Sequence, residues 1–159
     1  MNLLIATVGL PRSGKSTWAK GIGFPIVCPD AIRLACHARA YFAPFEPWTW
    51  ALAYTMCEAL FQAGHEHVIF DSTAINRKRR DALRLQGDVF GEHPDMRGWS
   101  VAFKTFDADS DTCTRRADES GRPDLIPIIA RMAFTAEPLE PDERVYGIDC
   151  HEDAKETTP

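Results

Sequence analysis

The sequence predicts an α/β domain built on a doubly wound parallel sheet with helices on both faces. Two observations carry this prediction. Apolar runs of strand length, at Leu3–Val8, Ile26–Cys28, His67–Asp71 and Trp99–Phe106, alternate with longer helical stretches; near-continuous apolar strands are those of a parallel sheet covered on both sides. The first run also leads straight into Gly9-Leu10-Pro11-Arg12-Ser13-Gly14-Lys15-Ser16-Thr17. That segment fits GxxxxGK[ST] at a strand-to-helix turn, where successive backbone N–H groups and a helix start can surround one anion.

The elements follow in order. Leu3–Val8 is the first strand, and the helix after the glycine loop covers Trp18–Gly21, stopped by glycines. Ile26–Cys28 is the second strand, ended by Pro29, with a helix beginning near Asp30. Trp48–Ala63 has apolar residues on several faces and stops at Gly64, the pattern of a buried helix. His67–Asp71 is a strand ending in an acid. Asn76–Leu85 is a basic amphipathic helix closed by Gly87, and residues 87–98 form a loop. Trp99–Phe106 is the next strand, Ser110–Glu119 and Pro127–Ala136 are helices, and Val145–Asp149 is a last short strand. Residues 1–149 thus form one domain, and 150–159 a polar acidic tail expected to be disordered.

The formal charge of −5 is uneven along the 159 residues. From Glu137 onward there are eight acids against Arg144 and Lys155, which leaves a body of 16 bases and 15 acids. Such a body lacks the strongly basic face of a binder of long duplexes. A short or single-stranded acidic substrate remains compatible. There is no apolar run of membrane-spanning length and no basic leader, so the chain reads as cytoplasmic. Five cysteines without CxxC spacing argue against disulfides and a zinc site.

The glycine loop is a nucleoside triphosphate site in this reading. Gly9 and Gly14 let the backbone approach phosphate, with Pro11, Arg12, Ser13 and Thr17 completing the cradle. Lys15 neutralises the β and γ phosphates, and the Ser16 hydroxyl ligates Mg²⁺. Asp71, at a strand end, is placed to hold Mg²⁺ directly or through water, or only to cap the following turn. Asp30 is either a helix N-cap or a carboxylate that accepts the proton of an attacking hydroxyl, with Arg33 three residues on gripping an acceptor phosphate. Asp107 is the least specific of the three acids. Arg115, Arg116, Arg122 and Arg131 would suit a lid that closes on the donor phosphates. Arg77-Lys78-Arg79-Arg80 and Arg84 form either a solvated helix face or phosphate-backbone contacts. Tyr41, Phe42, Phe45, Trp48 and Trp50 exceed what an exposed loop needs. Some belong to the core, and one or two could stack an acceptor base.

Taken together, these residues resemble P-loop kinases of the polynucleotide 5′-hydroxyl kinase type, found in bacteriophages and nucleic-acid repair enzymes. The resemblance is carried in order by Gly9–Ala19, Asp30–Arg33, Val68–Arg80, Phe106-Asp107, Cys113–Arg116 and Ile126-Pro127 leading to Arg131-Met132. It implies a P-loop NTPase fold with an arginine-bearing lid, ATP as donor with Mg²⁺, and a nucleic acid as acceptor; DNA is the expected one, because a near-neutral body with local basic clusters suits a few phosphate contacts. It further implies Asp30 as general base, Arg33 as acceptor-phosphate ligand, Lys15 and Ser16 as donor and metal ligands, and Arg116 as a lid arginine. The acceptor side then comprises Arg33, Asp71, Thr73, Arg77 and Arg80. Three departures stand out. Ala74 occupies a position where the family commonly has Asn, and Glu119 and Ser120 stand where a second lid arginine is usual, leaving Arg122 as its substitute. No phosphatase or ligase domain follows.

Some phage kinases of related sequence phosphorylate 5-hydroxymethyluracil within DNA, so a hydroxymethylated base competes with a 5′-hydroxyl end as acceptor. A nucleotide or other small-molecule kinase is the second reading, because Asp-x-x-Arg after the second strand also occurs in nucleoside monophosphate kinases. A non-catalytic NTP switch is the third, weakened by the lack of an Asn-Lys-x-Asp motif.

Overall fold

The computed structural model describes residues 1–147. The segment 150–159 and the end of the strand expected over Val145–Asp149 lie outside these residues. Four parallel strands, β1 (Leu3–Val8), β2 (Ile26–Val27), β3 (His67–Phe70) and β4 (Ser100–Thr105), form one sheet in the order β2-β3-β1-β4. Side chains alternate across it, as a pleated strand requires. Leu4, Ala6, Val68, Phe70, Val101 and Phe103 face one layer, and Leu3, Ile5, Ile69 and Ala102 the other.

Helix α1 (Lys15–Ile22) covers the second face through Ala19. The first face is covered by α3 (Glu46–Gln62), through Ala53, Cys57 and Phe61, and by α4 (Arg77–Glu92), through Leu83. Helix α2 (Pro29–His37) packs on α3. Helices α5 (Ser110–Glu119) and α6 (Ile126–Thr135) pair with each other around Cys113, Ala117 and Ile129, and this small core reaches the glycine loop through Leu10. The doubly wound parallel architecture predicted from the apolar runs is therefore present.

Several boundaries move, each for a local reason. Helix α1 begins at Lys15, ahead of Trp18, because left-handed Gly14 (φ 103°) opens it. Gly23 (φ 86°) closes it, while Gly21 lies inside. Pro29 occupies the first helical position of α2, where its missing N–H costs nothing. Gly87 does not stop α4, which runs on to Glu92. A Cβ there would lie 2.3 Å from the Trp99 carbonyl, so this glycine permits close helix–strand approach. Trp99 Nε1 donates to the Leu83 carbonyl across the same contact (3.1 Å). Val145 makes one parallel bridge to Phe103.

The arm from Ala136 to Gly147 is held to α4 by charge. Arg80, completely buried, donates to both carboxylate oxygens of buried Glu143 (2.6 and 3.1 Å) and to the carbonyls of Ala74, Glu137 and Pro138. Burial pushes the Glu143 carboxyl up, but hydrogen bonds from Arg80 and the Glu140 amide bring it net below its usual range. Arg77 forms a fork with Asp142 (2.8 and 2.7 Å) and bonds Asp81, and Arg84 reaches the same two acids. Arg80, expected to bind substrate, is corrected by its complete burial, while Arg77, expected there too, is ion-paired with the arm. Arg80 is a core cation, and Arg77 is committed to the arm. Their spacing with Arg84 (i, i+3, i+7) sets all three on one helix face, and the sequence could not show that acids about sixty residues later would meet it.

Removing one partner of a buried pair leaves the other charge uncompensated, at a cost of about 3–5 kcal/mol. Arg80→Met is therefore expected to lower Tm by roughly 10 °C or more, read by thermal unfolding. An unchanged Tm would return Arg80 to the pool of ligand-binding residues.

Candidate active site

Parallel pairing of β1 with β3 brings the glycine loop beside the residues after Phe70. The Gly9 amide donates to the Thr73 carbonyl at 3.0 Å, tying the two strand ends together. Gly9 is required here, since a Cβ would lie 2.9 Å from the Phe106 carbonyl and 2.8 Å from Ser13 Oγ. Arg12 also adopts a left-handed conformation (φ 68°), and with left-handed Gly14 it turns the loop into the start of α1. Pro11 and Thr17 complete the loop and the first turn of the helix. This backbone is of the kind that aims N–H groups at an anion.

Lys15 is buried, and its Nζ donates to the Leu10 carbonyl (2.5 Å) and, at 3.4 Å, to Ser13 Oγ. Burial lowers its pKa, against the opposing charge of Asp71. A cation held inside its own loop, with only neutral oxygens as partners, gains from an anionic ligand. Ser16 Oγ donates to Asp71 Oδ2 at 2.6 Å, and Thr7 Oγ1 lies 3.4 Å from Asp71 Oδ1. Asp71 is thus buried against the phosphate loop and is no turn cap. A hydroxyl and a carboxylate side by side are hard oxygen donors of the type Mg²⁺ takes alongside substrate phosphates.

Asp30 lies at the second position of α2, whose N-cap is Cys28, so the N-cap alternative is corrected. Its Oδ1 accepts from Arg33 Nη1 at 2.5 Å, while its side chain is 83% exposed. Arg33 is itself buried. Its Nε and Nη2 donate to the two oxygens of Glu46 at 2.6 and 2.7 Å, a bidentate pair that raises the Arg33 pKa and, from the other side, lowers that of Glu46. Glu46 went unnoticed in the sequence, although an acid at the start of a helix before Pro47 was the available signal.

The remaining arginines divide. Arg116 on α5 donates to the Arg12 carbonyl (3.2 Å), so it reaches the loop. Arg122, expected to replace a second lid arginine, is paired with Asp124 at 2.8 and 2.9 Å. Arg115 makes a long contact to Glu119 (3.9 Å). Asp107 borders a cavity of about 330 Å³ with Gly9, Ile75 and Pro138. Ala74, where Asn was expected, has φ 38°, a left-handed conformation that Asn adopts more readily than Ala. The Arg80 guanidinium holds its carbonyl at 3.3 Å.

The same architecture occurs in known kinases. A chain of the Pnkp1/Rnl/Hen1 RNA repair complex superposes with a TM-score of 0.62 at 19% identity, over 84% of this chain and 45% of that one. This protein therefore spans less than half the length of that repair chain. A sugar kinase from Janibacter sp. HTCC2649 gives 0.61 at 23% identity, covering 91% and 83%, and a gluconokinase from Sinorhizobium meliloti 1021 gives 0.56 at 20%, covering 89% and 78%. At these identities the likeness is one of fold. No curated protein matches significantly. The AAA domain family profile (AAA_33) matches residues 4–127, most of the sheet together with the glycine loop, and the chain belongs to that family.

Proposed function

We propose that this protein is an ATP-dependent kinase that transfers the γ phosphate to a hydroxyl on DNA, either a polynucleotide 5′ end or a hydroxymethyl group on a base. The observation that carries it is the convergence of Lys15, Ser16, Asp71 and the exposed Asp30 carboxylate at the carboxyl ends of neighbouring parallel strands. A triphosphate in the loop of residues 9–17 would exchange the Leu10 carbonyl for phosphate oxygen at Lys15. Mg²⁺ would be held by Ser16 and Asp71 and would neutralise charge on the phosphates when bound. Asp30, oriented by Arg33, accepts the proton of the attacking hydroxyl. Arg116 closes from α5 over the loop as the lid arginine. Thr73, beside Asp71, contributes to the acceptor side. A small-molecule acceptor is the second reading, favoured by the fold shared with sugar kinases.

Lys15→Ala is expected to cost on the order of 3 kcal/mol in transition-state stabilisation, roughly a hundredfold in rate, without lowering Tm. Normal turnover with labelled ATP would exclude the loop from phosphoryl transfer. Asp30→Asn is expected to leave ATP affinity near the wild-type value and cut turnover about 10²- to 10⁴-fold. Weak ATP binding in that variant would instead make Asp30 a metal ligand. The acceptor is read by incubating labelled ATP with DNA carrying a free 5′-hydroxyl, with end-blocked DNA containing hydroxymethyluracil, and with mononucleotides or sugars. Label in either DNA supports the proposal, and label only in a small molecule overturns it.

A further inference from the structure

The acceptor end of the site has an unexpected charge balance. Arg33, the arginine that the sequence assigns to an acceptor phosphate, has Nε, Nη1 and Nη2 each bonded to a carboxylate. Asp30, Arg33 and Glu46 together carry one net negative charge. An incoming phosphate at Arg33 would have to displace a bidentate carboxylate and would still face the other. Arg33 is thus a positioning residue for Asp30.

A different cation lies beside this triad. The Arg79 guanidinium is 4.2 Å from the centroid of the Trp50 ring, the same ring that Arg33 approaches at 6.0 Å. Trp50 stacks on Phe70, the last residue of β3 before Asp71 (6.1 Å, 24°), and Tyr54 stacks on Phe70 as well. Arg79 and Arg33 thus share one indole, and the Arg79 charge reaches Glu46 and the Tyr54 hydroxyl. Among the described residues no carboxylate lies within ion-pair distance of Arg79, whereas its neighbours Arg77, Arg80 and Arg84 are all neutralised by acids of the arm and by Asp81. Of the arginines in the basic run, one alone is left uncommitted. Its guanidinium carbon lies over an indole ring, and among the described residues its N–H fork is free for bidentate phosphate contact.

We propose that Arg79, laid on Trp50, is the phosphate-binding subsite of the acceptor, and that the acceptor is therefore a phosphate-bearing nucleotide strand and not a neutral sugar. This inference rests on the kinase reading above and extends it to the acceptor's chemical class. Adding the Arg79 charge brings the cluster to neutrality, so the subsite accepts an anion that Arg33 cannot. The guanidinium–indole pair also offers a stacking surface to the nucleotide attached to that phosphate.

The test uses the intact protein and a short, dye-labelled single-stranded DNA with a free 5′-hydroxyl, read both by binding anisotropy over a salt series and by phosphorylation kinetics. Arg79→Ala is expected to weaken DNA binding about tenfold, to raise KM for DNA by a similar factor with KM for ATP unmoved, and to flatten the slope of log affinity against log salt by about 0.7. Arg79→Lys should keep the salt slope and recover only part of the affinity, since it retains charge but loses the planar fork. Trp50→Phe, with an unchanged Tm as its folding control, should weaken DNA binding without altering the salt slope. If wild type phosphorylates DNA and Arg79→Ala leaves both KM and slope unchanged, the subsite is wrong and the kinase reading stands. If wild type binds DNA through Arg79 but labels only a neutral small molecule, Arg79 is a DNA contact outside the acceptor site, and both the subsite and the DNA-kinase reading fall. If wild type neither binds nor labels DNA, both fall.

Discussion

Everything at the candidate site depends on the parallel register of β1 against β3. Ala6 pairs with Phe70, so the chain leaves both strands at the same level, and the Gly9 amide then bonds the Thr73 carbonyl. Only in that register does Ser16 on α1 meet Asp71, and only then does Lys15 lie within the influence of that carboxylate. A parallel sheet puts all its strand carboxyl ends on one edge, and the crossover helices leave that edge open. The tight turn at Gly9 cannot accept a Cβ, so the loop's shape follows from strand pairing as much as from its own glycines.

Charge on this protein is arranged in three ways. The arm beyond α6 carries acids that absorb the basic face of α4, burying Arg80 and Glu143 completely. On α2 and α3 one arginine serves two carboxylates, one of them the exposed Asp30. At the glycine loop, Lys15 stands among neutral oxygens. The first arrangement stabilises the fold, the second fixes an orientation, and the third leaves a cation in want of an anion. A net charge summed over the chain conceals all three.

The sequence made the architecture and the phosphate loop legible because both are local. Apolar runs, their spacing, and glycines at a strand-to-helix turn need no knowledge of distant contacts. Asp71 was legible for the same reason, as an acid at the end of an apolar strand. What could not be read was set by long-range pairing. Gly87 looked like a helix stop, yet it serves the approach of Trp99. Arg77 and Arg80 looked like ligands for phosphate, and only Asp142 and Glu143 reveal their use. The spacing put Arg33 on the helix face of Asp30 and assigned it to an acceptor phosphate, whereas its pairing with Asp30 and Glu46 depends on how α3 starts.

The buried Arg80–Glu143 pair also bears on how the chain is made. Its partners are 63 residues apart, with the second half of the domain between them. At a synthesis rate of about 5–20 residues per second, Arg80 is joined to the chain roughly 3–13 s before Glu143. Throughout that interval Arg80 lacks the Glu143 carboxylate and the Glu137 and Pro138 carbonyls that hold it in the finished structure. The face of α4 that carries Arg80 therefore cannot reach its fully bonded state until the arm itself has been made.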